Sequence, residues 1–306
     1  MTAMHRYRAF GLTIGSDVRL DELAAQPDET APVDLRIVRS DRGEMITPLD
    51  QHARFDFEGP NGVEMMWPGA ASIRIENSSL VHIEPFDGVP ENYLAFPLLG
   101  PVMGWMLHMR GLFVLHGSAV RRHGRSVAFL GDKMAGKSTT ASAFLKQGWD
   151  LMTDDLLAVD CSGDGQPQIQ PAFAQMKLNS DAPDVDIPEA TILPPVVEGF
   201  EKRQYRLPAL DQATADTDCI FILDRGGEVP AIDWLSATNA IEPLFRYSYN
   251  VRFAQAPVTM QDRARQFRQA ARIADTTRIG RLQIPHDRAR LGETVALVED
   301  MLSGGG

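Results

Sequence analysis

The chain has 306 residues, 44% hydrophobic and 23% charged, with a formal net charge of −11. That mix is ordinary for a globular protein and argues against disorder over most of the length. A nucleic-acid backbone or an anionic lipid surface would meet net repulsion, so neither is an expected partner, and any anion must be held by local groups.

The N-terminal stretch MTAMHRYRAFGLTIGSDVRL has no continuous apolar core of a secretory signal, so a cytoplasmic location is expected. Up to about residue 90, short runs such as YRAFGLTI, DLRIVRS, ARFDFEG, SIRIEN and LVHIEPF alternate apolar and polar residues between turn signals. This period of two predicts antiparallel strands. ENYLAFPLLGPVMGWMLHMRG is apolar all round and predicts a buried helix or pair of helices joining two modules. Its uncharged part, Leu94 to Met109, is too short to span a bilayer.

From Leu112 the texture changes to LFVLHGSAV, a turn at RRHGR, a strand SVAFL, a glycine loop, a helix over 136–147 and then DLMTDDLLAVD. Strand, glycine loop, helix and strand in that order make an α/β nucleotide-binding unit. Further on, DCIFILD predicts another core strand, and TMQDRARQFRQAARIAD a helix with Ala264, Phe267, Ala271 and Ala274 along one side. Cys161 and Cys219 belong to no Cys/His cluster, which argues against a disulfide framework and a structural zinc site.

The loop reads Gly131, Asp132, Lys133, Met134, Ala135, Gly136, Lys137, Ser138, Thr139, a complete Walker A pattern. Glycines let successive N–H groups converge on phosphate oxygens, and the helix that follows adds its positive dipole end. Lys137 would bridge the β- and γ-phosphates of ATP, and the Ser138 hydroxyl would ligate Mg2+. Phosphoryl transfer also needs carboxylates, and two places offer them: the pair Asp154-Asp155, and Asp224 at the end of CIFIL.

LHGSAV, GDKMAGKSTT and GWDLMTDDLLAV together resemble HPr kinase/phosphorylase, and are closer still to the HPr-kinase-related proteins that include lasso-peptide precursor kinases. YRAFGLTIGSDVRLDEL is similar to the N-terminal sequence of those relatives. The resemblance implies that His116 lies by the phosphates and that the Asp pair supplies a base and a metal ligand. Asp154 is favoured as base and Asp155, with Ser138, as metal ligand, with the reverse order left open. It also implies that Lys202 and Arg203 belong to a mobile basic loop near the phosphates. On residues alone, His116 reads equally as a core histidine, the Asp pair as a solvated turn and 201–207 as a solvated charge run. Adjacent aspartates in a strand point to opposite faces, so both serve one site only if the strand ends or kinks there.

Residues 251–290 hold nine Arg against three Asp and no Glu. Arg265, Arg268 and Arg272 would share one helix face, either a docking surface or a solvated one. The glutamate and glycine-rich segment that the family ties to phosphorolysis is not found, so phosphorylase activity and HPr as substrate are not expected.

The expected fold is α/β: a β-rich N-terminal domain over 1–92, suited to substrate recognition, a P-loop kinase domain of HPr-kinase type over 93–302, and a disordered tail over 303–306. The expected activity is an ATP- and Mg2+-dependent kinase for a serine of a small protein or ribosomal peptide, in a chain able to form homo-oligomers. The alternatives are a nucleotide-gated binding protein without kinase activity and a small-molecule kinase of the free-serine type.

Overall fold

The computed structural model describes residues 4–40, 53–57, 62–173, 175–179, 190–193, 202–208, 213–249, 253 and 259–304. The first module is one sheet of β1 (His5–Ala9), β2 (Leu12–Ser16), β3 (Ala24–Ala25), β4 (Leu35–Arg39), β5 (Arg54–Asp56), β6 (Val63–Trp67), β7 (Ala71–Asn77) and β8 (Leu80–Pro85). Their order across the sheet is β3-β1-β2-β4-β8-β7-β6-β5. YRAFGLTI is not one strand but a hairpin, because Phe10 and Gly11 both take positive φ, 55° and 71°, at a two-residue turn. The sheet is also not wholly antiparallel: β4 runs parallel to both β2 and β8.

The apolar stretch forms α1 (Glu91–Pro97), a π-helical turn (Leu98–Val102) and α2 (Met103–Met109) as consecutive turns. Pro97 and Pro101 each remove a backbone donor, which accounts for the widened turn between the helices. The core does not close at residue 92. Ile14, Ile37, Ile73 and Ile83 of the sheet share one cluster with Leu94, Leu98, Met106 and Leu107, and that cluster continues into Leu156, Ala158 and Phe173.

The second module holds β9 (Phe113–Leu115), β10 (Gly117–Arg122), β11 (Arg125–Leu130), α3 (Lys137–Lys146), β12 (Asp150–Thr153) and β13 (Leu157–Asp160). After them come β14 (Gln168–Ile169), β15 (Gln175–Asn179), β16 (Thr191–Leu193), β17 (Lys202–Arg206), β18 (Ala215–Asp216), β19 (Cys219–Gly227) and β20 (Ala231–Trp234). The chain ends with α4 (Ala237–Arg246), α5 (Met260–Thr276), β21 (Arg278–Pro285) and α6 (Leu291–Ser303).

The central sheet runs β12-β10-β11-β19-β21-β20, with β11, β19 and β21 parallel. Phe129, Phe221 and Leu282 pack on one face against Phe144 of α3 and Val295 of α6. Ala128, Ile220 and Ile279 pack on the other against Leu244 of α4 and Ile273 of α5. Burial on both faces is why CIFIL is a continuous apolar run rather than an alternating one. The result is a helix, sheet, helix sandwich.

Three expectations change here. On α5 the buried side is Ala270, Ile273 and Ala274, while Phe267 is 54% exposed, because the helix meets the sheet one residue earlier than the alanine spacing suggests. Arg265 is paired with Asp262, and Arg272 donates to the carbonyls of Cys161, Gly163 and Gly165, so these two arginines anchor the chain rather than present a free face. At the C-terminus α6 runs to Ser303 and Gly304 is described, inside the stretch expected as a tail; residues 305–306 lie outside the described residues. Among the described residues no helix is long and apolar enough to cross a membrane.

His108, 6% exposed on α2, has its pKa lowered to about 4, by burial first and by the nearby Arg265 second, with Asp262 opposing. The folded state therefore holds a neutral imidazole, while the unfolded chain binds a proton below about 6.5. Stability present above that pH is lost as pH falls toward 4. We expect His108→Leu to flatten this loss, removing roughly 2–3 kcal/mol of pH dependence in denaturant titrations between pH 6.5 and 4. A separate packing limit lies at Gly104, where an added Cβ would overlap the buried ring of Tyr249. Gly104→Ala should cost about 1–3 kcal/mol by the same measurement.

Candidate active site

The chain changes sheets twice at one place. β9 lies in a four-stranded sheet ordered β18-β14-β13-β9, whereas β10 lies in the central sheet, and His116 is the single residue between them. β12 and β13 make the same crossing, with Asp154, Asp155 and Leu156 between. Gly117 is needed at the first crossing, since a Cβ there would stand 2.8 Å from the Phe129 carbonyl oxygen in the neighbouring strand. The second crossing answers how two adjacent aspartates can serve one site: β12 ends at Thr153 and Asp155 takes φ 80°, a left-handed conformation that a non-glycine residue adopts at a cost.

Asp154 is 4% exposed and accepts three hydrogen bonds. Ser118 Oγ and Ser138 Oγ donate to Oδ1 at 2.5 and 2.9 Å, and the Lys177 backbone N–H donates to Oδ2 at 3.1 Å. Burial raises its pKa, the Asp155 charge adds to that, and the three donors oppose it. Asp155 is 48% exposed at its side chain, and its Oδ1 lies 3.1 Å from His116 Nδ1. The same ring nitrogen is 3.0 Å from the Asp155 carbonyl oxygen. His116 is therefore not a plain core histidine; its backbone N–H donates to the Tyr247 carbonyl and its ring faces Asp155.

The Walker A segment joins β11 to α3. Gly136 has φ 100° immediately before α3, and Met134 has φ 68°. Lys137, 8% exposed, donates from Nζ to the carbonyls of Gly131 and Asp132 at 2.9 and 3.2 Å. Asp132, Lys133 and Met134 are exposed, while Ala135, Ser138 and Thr139 are half-buried. Asp132 pairs with Arg246 at the end of α4, 2.9 Å away, and Arg225 of β19 donates to the Met134 carbonyl. The bulky charged interior of the loop thus faces outward and leaves its backbone at the helix end.

Ser138 is bonded to Asp154, while Asp155, in its left-handed turn, faces His116. Lys202 and Arg203 lie in β17, a strand paired with β15 and β16, rather than in a loop. The Arg203 guanidinium sits 5.9 Å from the Tyr205 ring centroid. Asp224 is an exposed residue within β19, which continues to Gly227.

A cavity of about 260 Å³ opens beside the Asp pair, walled by Glu22 and Trp67 of the first module, by Phe96, and by Gln175, Lys177 and Gln204. The three polar residues of β15 and β17 were missed in the sequence. Their signal was the alternation of QMKLN, in which Met176 and Leu178 pack toward α3 and Gln175 and Lys177 point the other way.

No family model matches the chain, and no curated protein does. Among solved structures it is similar to one described as the Hpr(Ser) kinase/phosphatase from Coxiella burnetii. The identity is 12% and the TM-score 0.34, with 63% of this chain and 99% of that chain covered. That likeness is distant, and the chemistry of the site is read from the chain's own residues.

A buried carboxylate of raised pKa is a stability cost at neutral pH, since the folded state prefers the proton and loses stability as pH rises through that pKa. Asp154→Asn keeps an acceptor for the Lys177 N–H and removes the charge. We expect it to raise the melting temperature by about 2–4 °C at pH 8, less at pH 5, measured calorimetrically.

Proposed function

We propose that the protein is an ATP- and Mg2+-dependent kinase that phosphorylates a serine-type hydroxyl, on a small protein or ribosomally made peptide. The observation that carries this reading is the hydrogen bond from Ser138, the second residue of the helix after the Walker A loop, to Asp154 of the Asp pair. It joins the helix after the Walker A pattern to a pair of carboxylates, both of which line a cavity large enough for an acceptor.

ATP would lie with its phosphates against the loop amides and the N-terminus of α3, with Lys137 giving up its contacts to loop carbonyls for β- and γ-phosphate oxygens. Among the described residues no group of three or more His, Cys, Asp or Glu side chains could hold a metal ion. Mg2+ is commonly held by one or two protein ligands together with phosphates and water. Ser138 and Asp154 are the residues placed to hold it, and it would supply charge neutralisation on the phosphates.

Asp155, rather than Asp154, is the proton acceptor in this reading. Both line the cavity, but both oxygens of Asp154 already accept hydrogen bonds and the group is buried, whereas Asp155 is half-exposed. A general base must come within hydrogen-bond reach of the proton it takes. The acceptor oxygen attacks the γ-phosphorus, its proton passes to Asp155, and the bond from that phosphorus to the bridging oxygen breaks to release ADP. His116 holds the Asp155 carboxylate in position.

Lys137→Ala should lose both ATP binding and phosphate transfer. Asp155→Asn should lower transfer by about 10²- to 10⁴-fold while ATP affinity stays within about 3-fold of wild type. Mass spectrometry of candidate peptides incubated with ATP and Mg2+, beside a calorimetric ATP titration, checks both. Full transfer by Asp155→Asn would remove Asp155 as base; ATP binding with no transfer by wild type would favour a nucleotide-gated binding protein.

A further inference from the structure

The Walker A loop carries a charge that phosphate binding does not call for. Asp132 is its first interior residue, and its carbonyl accepts a hydrogen bond from Lys137 Nζ at 3.2 Å. That ammonium is the group that would take the β- and γ-phosphates in the proposed kinase, so Asp132 stands at the phosphate end of the loop. A carboxylate there repels a polyphosphate, and like charges set against each other weaken binding.

Asp132 is answered by a cation from outside the loop. Nη2 of Arg246, at the end of α4, reaches both carboxylate oxygens, at 3.1 and 2.9 Å. Lys133, the neighbouring residue in the loop, makes no such pair among the described residues. The Arg246 guanidinium also stands 5.5 Å from the Tyr247 ring centroid, so it is held from two sides. The pair does little for the fold, because its side chains are 54% and 66% exposed and ion pairs so exposed contribute little stability. Its place matters more. The Tyr247 carbonyl, one residue along, accepts from the His116 backbone N–H at 2.8 Å, so the end of α4 joins the loop to the Asp155 side of the site.

We infer that Arg246 is a positioning residue of the nucleotide site: it neutralises Asp132 and holds that carboxylate at the end of α4, so that the loop accepts ATP despite its acidic interior. This rests on the kinase reading and adds to it a residue that lies outside the Walker A pattern. Arg246 acts through Asp132, so its worth depends on Asp132 being charged. One nitrogen makes both contacts, so a lysine ammonium can take its place.

Calorimetric titration with ATP and Mg2+ tests this on the full chain, comparing wild type, Arg246→Ala, Arg246→Lys, Asp132→Asn and the double variant Asp132→Asn/Arg246→Ala. In about 50 mM salt, Arg246→Ala should bind ATP about 10- to 30-fold more weakly than wild type. Arg246→Lys should stay within about 3-fold, since the charge is kept. Asp132→Asn should bind at least as tightly as wild type, and the double variant should lie within about 3-fold of Asp132→Asn. In about 0.5 M salt the loss in Arg246→Ala should shrink, because an exposed, unmatched carboxylate is screened. Arg246→Ala within about 3-fold of wild type overturns the inference, and so does a double variant as weak as Arg246→Ala, since Arg246 would then act independently of Asp132. Either result leaves the kinase reading standing. Absence of ATP binding by wild type overturns both. Should Arg246→Ala fail to fold, Arg246→Gln, which keeps a long polar side chain without the charge, must show the same loss and the same recovery.

Discussion

One buried carboxylate ties the site together. Asp154 takes hydrogen bonds from Ser118 on β10, Ser138 on α3 and the Lys177 backbone on β15, three elements from three parts of the chain. Each of these bonds to an ionised group is stronger than a neutral one, and together they offset part of the cost of removing the charge from water. Through these bonds α3 and β10 are tied to the strand that carries Lys177. The fold around it is arranged so that a costly group is paired on every side.

The paired sheet crossings explain how the other groups reach the same place. His116 and Asp155 each occupy a connection between the same two sheets, and the strands flanking them are neighbours: β9 with β13, β10 with β12. Residues that must face one another are therefore set by two strand registers rather than by a flexible loop. The left-handed backbone of Asp155 is the local cost of turning a second carboxylate toward the cavity.

Much of this was legible in the sequence, and the parts that were not have identifiable reasons. The Walker A pattern and its flanking strand and helix are local, so spacing alone placed α3 to within a residue or two. The hairpin at Phe10 and Gly11 was hidden because a two-residue turn within YRAFGLTI hardly interrupts the alternation. Which aspartate meets Ser138 depends on one φ angle that no spacing encodes. The place of Gln204 on the cavity could not be found from its neighbours, since its side-chain partner is Gln175, twenty-nine residues away. Arg203, the residue beside it, carried the more conspicuous charge, yet strand alternation sends its side chain to the other face.

The first module then has a part beyond carrying its own core. Glu22 and Trp67 close the cavity from that side, and the shared cluster from Ile14 to Phe173 fixes the two modules to one another without a linker. A phosphoryl-transfer site open to solvent loses phosphate to water as readily as to its acceptor, because water is a hydroxyl nucleophile at high concentration. In the proposed kinase, covering the Asp pair with Trp67 and Glu22 of the first module would limit that competition. In the proposed kinase the first module would meet an acceptor through this wall of the cavity.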